Sequence, residues 1–158
     1  MASLVDTNLL VYRFDPRDPA KQRIATKVLR EGQRTDSVVL AHQAIVEFVA
    51  AVTRARPDLQ GAPLVAMEDA LLEAESLLAQ FPVVYPNADV VTAAARGVAA
   101  YRLAWFDAHL WAHAEVFGIP EILSEGFEHG RHYGRVRVTN PFLHAAGGVN
   151  ELPPLYSS

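Results

Sequence analysis

Three acidic side chains stand in apolar surroundings and could together hold a divalent cation. Asp6 comes directly after a short apolar segment, Glu47 interrupts an otherwise apolar run, and Asp107 follows two aromatic residues. An ionised carboxylate is costly to desolvate unless a cation or several hydrogen-bond donors compensate its charge. Carboxylate oxygens completed by water are the ligands that Mg²⁺ and Mn²⁺ prefer. We therefore predict a shared site for Mg²⁺ or Mn²⁺.

Each of these acids also has an ordinary structural explanation. Asp6 could cap the turn into the next helix, Asp107 could be the N-cap of its helix, and Glu47 could face solvent from a helix face of small and polar residues. These three explanations would all have to hold at once. A single cation site accounts for the three acids together.

Composition limits the chemistry and the partners. The chain has no cysteine, which excludes disulfides and thiolate metal sites. A net charge of −4 does not create the basic field that binds nucleic acid through phosphate neutralisation alone. Any contact with nucleic acid is therefore expected to be local.

Length and apolar content indicate one compact domain. The 158 residues, 51% of them hydrophobic, are enough for a single core. We predict one domain over residues 1–158, with a core at about 3–142 and a C-terminal tail at 143–158. No apolar run is long enough to span a membrane, and the N-terminal segment lacks a basic leader, so we expect a cytoplasmic protein without membrane contact.

Apolar periodicity predicts strands that alternate with helices. Such alternation implies an α/β fold with a mostly parallel sheet of four to five strands flanked by helices, and ligands bind outside the carboxyl ends of such strands. Gly32 is interpreted as a helix stop, Asn87 as a helix cap, and the apolar stripe of the third helix as core, with a dimer face as the alternative. The predicted strands are 3–5, 37–41, 83–85, 122–123 and an edge strand near 135–139, and the predicted helices are 21–30, 42–54, 64–81, 88–102 and 107–117.

Four short motifs in this order resemble those of PIN-domain nucleases, and the last is similar to the closing motif of the VapC toxin branch. They are LVDTN at 4–8, Glu47 in the helix after the second strand, WFDA at 105–108, and ILSEGFEHG at 122–130 followed by NPF at 140–142. The resemblance extends from residue 3 to residue 142.

This resemblance implies a metal-dependent ribonuclease that hydrolyses RNA phosphodiesters as the toxin of a VapBC-type toxin–antitoxin pair. By the same resemblance, Asp6, Glu47 and Asp107 are catalytic and hold Mg²⁺ or Mn²⁺ directly or through water. The implied partners are an RNA substrate, a cognate VapB-like antitoxin and a second copy of the chain. The residues implied to orient the ligands or the phosphate are Thr7, Asn8 and Ser124.

The closing motif departs from the family pattern at one position. That motif reads Ser-Glu-Asp in the VapC branch, and Gly126 stands here in place of its aspartate, the fourth acid. Glu125 could compensate, although strand geometry would normally point it to the other face. Otherwise the site binds one ion instead of two, or its activity is impaired. The alternative function is a catalytically inactive PIN domain that binds RNA or protein.

Two other kinds of site are alternatives to the acidic one. His109 and His113 lie one helical turn apart and could chelate zinc, although buried or surface histidines without a metal are far more common. A Rossmann-type nucleotide site is disfavoured, because the segment after the first strand, DTNLL at 6–10, lacks the required glycines.

Overall fold

A computed structural model of the chain describes residues 1–143, so nearly all of the predicted C-terminal tail lies outside the described residues. Within them the fold is α/β, as predicted. The elements are β1 Ser3–Val5, α1 Thr7–Tyr12, α2 Pro19–Thr35, β2 Val38–Ala41, α3 His42–Thr53, α4 Met67–Gln80, β3 Val83–Val84, α5 Ala88–Tyr101, α6 Trp105–Phe117, β4 Glu121–Leu123, β5 His132–Tyr133 and β6 Val136–Thr139, with a short 3-10 helix at Pro57–Leu59.

The sheet has the strand order β3-β2-β1-β4-β6-β5. All neighbouring pairs are parallel except β5 with β6. Ser3 on β1 lies opposite Val38 on one side and Glu121 on the other. The carboxyl ends of the five parallel strands β3, β2, β1, β4 and β6 therefore meet at one edge of the sheet, with Asp6 at its middle.

Both faces of β1 are buried, which explains its uninterrupted apolar sequence. Leu4 packs into one core with Val90 and Trp111 beneath α5 and α6. Val5 packs into a second core on the opposite face, which includes Phe48. No helix in residues 1–143 combines the length and the apolar character needed to cross a membrane.

The sheet has six strands in the described part of the chain, whereas four to five strands were predicted. The segment near 135–139 forms β6, but β6 is not an edge strand, because it pairs with β4 on one side and β5 on the other. The two residues of β5 are too few to show an alternating pattern. The helix α1 was also missed, because six residues are fewer than two turns and give no clear helical period.

The prediction that Gly32 ends a helix is wrong. Helix α2 continues to Thr35 and ends at Asp36, whose φ of 55° is left-handed. A Cβ atom at Gly32 would lie only 2.1 Å from Cγ2 and 2.9 Å from Cβ of Val38. Glycine is therefore required because α2 presses directly onto β2.

The apolar stripe predicted to face the core from α4 is largely exposed. Met67, Leu71 and Leu78 are 52%, 51% and 47% exposed, whereas Ala70 and Leu77 are fully buried. Two apolar stripes overlap on this helix, and spacing alone does not say which one faces the core. Ala70 and Leu77 lie on the stripe that packs into the core, where α4 contacts α3. By contrast, Asn87 caps α5 as predicted, since its Oδ1 accepts a hydrogen bond from the backbone N–H of Val90 at 3.0 Å.

We expect Gly32→Ala to destabilise the protein, although alanine favours helices by about 1 kcal/mol over glycine. Overpacking against Val38 should cost about 1–3 kcal/mol, so the net loss in the free energy of unfolding should be up to about 2 kcal/mol. Urea denaturation measures this loss. In a Val38→Ala background the 2.1 Å clash with Cγ2 is absent while the 2.9 Å contact with Cβ remains, so the same substitution should there cost less; an equal loss in both backgrounds would contradict the packing explanation.

Candidate active site

Asp6 lies where β1 ends and α1 begins. Its backbone N–H donates to the carbonyl oxygen of Leu123 at 3.0 Å, which joins the ends of β1 and β4. Its side chain makes no capping hydrogen bond to α1. Instead Oδ2 accepts a hydrogen bond from Oγ of Ser124 at 2.5 Å. The carboxylate is thus held at the carboxyl edge of the sheet by the neighbouring strand.

Glu47 is half-buried, and two hydrogen bonds hold its carboxylate. Its Oε1 accepts from the hydroxyl of Thr7 at 2.8 Å, and its Oε2 accepts from Nε2 of Gln43 at 3.3 Å. The same Gln43 amide donates to the carbonyl oxygen of Phe106 at 3.0 Å. Gln43 therefore connects Glu47 to the start of α6. Sequence analysis gave Gln43 no role, although its position one turn before Glu47 is a usable signal.

Asp107 is the third residue of α6, whose N-cap is Ala104. The explanation of Asp107 as an N-cap is therefore wrong. The helix begins two residues earlier than predicted, and its first turn carries the half-buried carboxylate toward the other acids.

The charges of Glu47 and Asp107 act on the pKa of Asp6, and the charge of Glu47 acts on the pKa of Asp107. Burial raises the pKa of Asp6 from 3.8 to about 6; the charges of Asp107 and Glu47 also raise it, while the hydrogen bond from Ser124 lowers it. Burial, followed by the charge of Glu47, raises the pKa of Asp107. The structure therefore brings Asp6, Glu47 and Asp107 together as one electrostatically coupled cluster.

Gly126 lies beside this cluster. Its backbone N–H donates to Oγ of Ser124 at 2.9 Å. A Cβ atom at Gly126 would lie 3.5 Å from Oγ of Ser124 and 3.9 Å from Oδ2 of Asp6, which is ordinary van der Waals contact. The backbone φ of Gly126 is outside the left-handed region. A side chain fits here, and a carboxylate at this position would join the acids.

The structure does not bring Glu125 to the other acids. Its buried carboxylate forms an ion pair with Nζ of Lys21 at 2.5 Å and accepts a short hydrogen bond from the hydroxyl of Tyr12. The Lys21 ammonium also lies 4.9 Å from the centre of the Tyr12 ring and 5.5 Å from that of Phe142. Glu125 is thus committed to a pair with α2, and the structure gives no support for it as the replacement acid.

Of the three residues expected to orient the ligands or the phosphate, two contact the acids and one does not. The side chains of Thr7 and Ser124 are buried and each donates to one acid, whereas Asn8 is exposed in the first turn of α1. Within residues 1–143 no hydrogen bond joins the Asn8 side chain to the cluster.

The two histidines on α6 are engaged with their own helix. Nδ1 of His109 lies 2.9 Å from the carbonyl oxygen of Trp105, and Nδ1 of His113 lies 2.7 Å from that of His109. Burial lowers the pKa of His113 and favours its neutral form. Neither histidines nor acids in residues 1–143 form a ready-made group of three or more metal ligands. The zinc alternative therefore gains no structural support.

Comparison with known proteins identifies the family. The family profile of the PIN domain matches residues 3–133. The chain belongs to the PIN-domain family. This confirms the resemblance seen in the motifs, and the PIN domain covers both the acidic cluster and the sheet that positions it.

Solved structures of toxins and toxin–antitoxin complexes share this fold. A toxin–antitoxin complex from Klebsiella pneumoniae has a TM-score of 0.61 at 18% identity, covering 89% of this chain and 98% of that one. VapC20 of Mycobacterium tuberculosis, described as a toxin that cleaves the sarcin–ricin loop, has a TM-score of 0.61 at 15% identity, covering 86% and 99%. VapBC2 from Rickettsia felis bound to promoter DNA has a TM-score of 0.62 at 10% identity, covering 89% and 98%. A search of curated proteins finds no significant match.

We expect Asp6→Asn to stabilise this PIN domain at neutral and alkaline pH. The pKa of Asp6 is raised from 3.8 to about 6, so the unfolded chain gives up this proton more readily than the folded protein does. The free energy of unfolding therefore falls as the pH rises from about 4 to about 6, and the loss remains at higher pH. The variant should gain about 1–3 kcal/mol in the free energy of unfolding at pH 8, and the gain should disappear below about pH 4, where the carboxyl is protonated in both states. Urea denaturation across this pH range, without divalent metal, measures it. A lower free energy of unfolding for Asp6→Asn at pH 8 would show that the ionised carboxylate of Asp6 does not destabilise the folded protein.

Proposed function

We propose that this PIN domain is a Mg²⁺- or Mn²⁺-dependent endoribonuclease that acts as the toxin of a VapBC-type pair. The observation that carries the proposal is the coupled cluster of Asp6, Glu47 and Asp107 at the carboxyl edge of the sheet. Desolvated carboxylates that repel one another are stabilised by a bound cation. The similarity to VapC20, described as a toxin that cleaves the sarcin–ricin loop, supports RNA as the substrate.

The donor set suits a hard cation. Asp6, Glu47 and Asp107 offer only oxygen ligands, and Mg²⁺ usually keeps several of its waters and uses few carboxylates. An ion would therefore be held partly through water, in keeping with the absence of a closed three-ligand group in residues 1–143. When bound, the ion supplies a hydroxide near neutral pH and stabilises negative charge on the phosphoryl and leaving oxygens.

The protein's own side chains then fix the acids in place. Ser124 donates to one oxygen of Asp6 and thereby sets the orientation of that carboxylate. Thr7 and Gln43 each donate to one oxygen of Glu47 and thereby set its orientation. Because Asp6 must be ionised to act as a ligand, its raised pKa implies that metal-dependent cleavage weakens as the pH falls below about 6.

The proposed partners follow from the same family. Two structural neighbours are described as toxin–antitoxin assemblies, which supports a VapB-like antitoxin as partner of this chain. The exposed aliphatic face of α4, formed by Met67, Leu71, Leu72 and Leu78, is available to such a partner or to a second copy of the chain.

Asp107→Asn should reduce Mg²⁺-dependent RNA cleavage by more than about a hundredfold while RNA binding is retained, because the change removes one negative charge and one ligand. A fluorogenic RNA measures turnover, and a filter assay in chelator measures binding. Asp69→Asn is the matched control, since Asp69 is the exposed third residue of α4 as Asp107 is the third residue of α6.

The same experiment separates the enzyme from the inactive binding module. Equal turnover by Asp107→Asn and by Asp69→Asn would show that the acidic cluster does not perform cleavage. RNA binding without metal-dependent turnover in the unaltered protein would instead favour the binding module.

Gly126→Asp should raise Mg²⁺-dependent cleavage by about 10–100-fold, because it supplies a fourth carboxylate next to Asp6 where a Cβ atom already fits. Gly126→Asn is the matched control, with nearly the same shape and no charge. The two variants should differ in cleavage rate measured over a Mg²⁺ titration. Equal rates for Gly126→Asp and Gly126→Asn would show that the missing acid does not limit this protein.

A further inference from the structure

Exposed aromatic rings gather at the same edge of the sheet as the acids. Four phenylalanine, tyrosine and tryptophan side chains in residues 1–143 are exposed, and the three besides Phe117 lie at this edge. Phe106 is 68% exposed, Tyr85 53% and Trp105 49%. We call these three rings, together with His42, the aromatic edge.

Local contacts hold two of these rings in place. The Trp105 ring packs edge-on against the His109 ring, with 4.2 Å between ring centres and an angle of 84° between ring planes. The Tyr85 ring stacks on His42, with 5.3 Å between centres and an angle of 30°. Tyr85 and His42 follow the paired ends of β3 and β2, respectively. The rings are positioned in advance, and much of their surface remains accessible.

The aromatic edge is joined directly to the acidic cluster. Phe106 immediately precedes Asp107, and its carbonyl oxygen accepts the Gln43 amide that also donates to Glu47. His42 immediately precedes Gln43 at the start of α3. A ligand that rests on these rings would therefore lie next to the acids.

The charge of the chain restricts how RNA can be held here. A net charge of −4 and the clustered acids repel phosphate groups. Stacking of a base on an aromatic ring needs no opposite charge and accepts every base, because each base has a π-face. Bases are free to stack in this way only where they are unpaired.

We propose that the aromatic edge is a subsite on which unpaired nucleobases of RNA stack beside the phosphate that is cut. This inference rests on the proposed ribonuclease function and adds to it a base-binding subsite formed by named residues of this chain. A nucleobase suits the flat ring faces of the aromatic edge, whereas four of the exposed aliphatic side chains, which suit a protein partner, are on α4. The aromatic edge presents flat ring faces next to the catalytic acids.

Fluorescence of Trp105 tests the proposal without cleavage. The chain has two tryptophans, and Trp111 is buried, so a base that stacks on the exposed Trp105 should quench its emission. The probe is a short single-stranded oligoribonucleotide in buffer with chelator. An abasic oligomer of the same length and charge is the comparison. We expect quenching by the first and little by the second, and no quenching in a Trp105→Phe variant.

Binding by variants of Phe106 locates the subsite. Phe106→Ala should weaken binding of the oligoribonucleotide by roughly five- to a hundredfold, whereas Phe106→Tyr should restore it, because either ring can stack. Phe117→Ala is the matched control, since Phe117 is exposed at the far end of the same helix. It should bind like the unaltered protein.

Three results would overturn the proposal. They are equal binding of the abasic and unmodified oligomers, an equal effect of Phe106→Ala and Phe117→Ala, and a dimer that becomes a monomer in Phe106→Ala by light scattering. The last would show that a second copy covers these rings. A failed ribonuclease proposal is recognised separately, because it leaves turnover unchanged in Asp107→Asn whatever the binding results.

Discussion

The repulsion among carboxylates at the end of β1 is the constraint on which the rest of the site depends. Asp6 follows the central strand with both of its faces covered by core, so its charge is poorly solvated, and two further acids lie near it. Such an arrangement is unfavourable unless the surrounding structure imposes it. Ser124 performs this role through a hydrogen bond to Asp6, and Gln43 through a hydrogen bond to Glu47.

The parallel sheet explains why residues so distant in sequence meet. Parallel strands need crossover helices, and each crossover returns the chain so that the next carboxyl end arrives at the same edge. Asp6 and Ser124 are the residues directly after β1 and β4, whose hydrogen-bonded ends bring them together. The helices that start at this edge, α3 and α6, carry Glu47 and Asp107 in their first two turns.

Sequence analysis predicted the features that depend on local pattern. Four strands, the α/β class and the position of Asp6 at a strand end follow from short apolar runs that stop abruptly at polar residues. It failed where packing over long sequence distances decides the result. Gly32 lies inside helix α2 and is needed there because α2 touches β2. Glu125 pairs with Lys21, which lies 104 residues earlier in the chain. Neither contact can be recognised from the residues of its own segment. The same is true of α4, where the local sequence does not show which of two overlapping apolar stripes faces the core.

The pairing of Glu125 with Lys21 also has an evolutionary consequence. A rotation of the Glu125 side chain toward the acids would leave a buried ammonium without its carboxylate, so selection would oppose that route to a fourth acid. Position 126 has no comparable obstacle, because its backbone already accommodates a side chain. Glycine and aspartate codons can differ by one base at the middle position. A glycine codon that ends in a pyrimidine would therefore give aspartate at position 126 by a single point mutation.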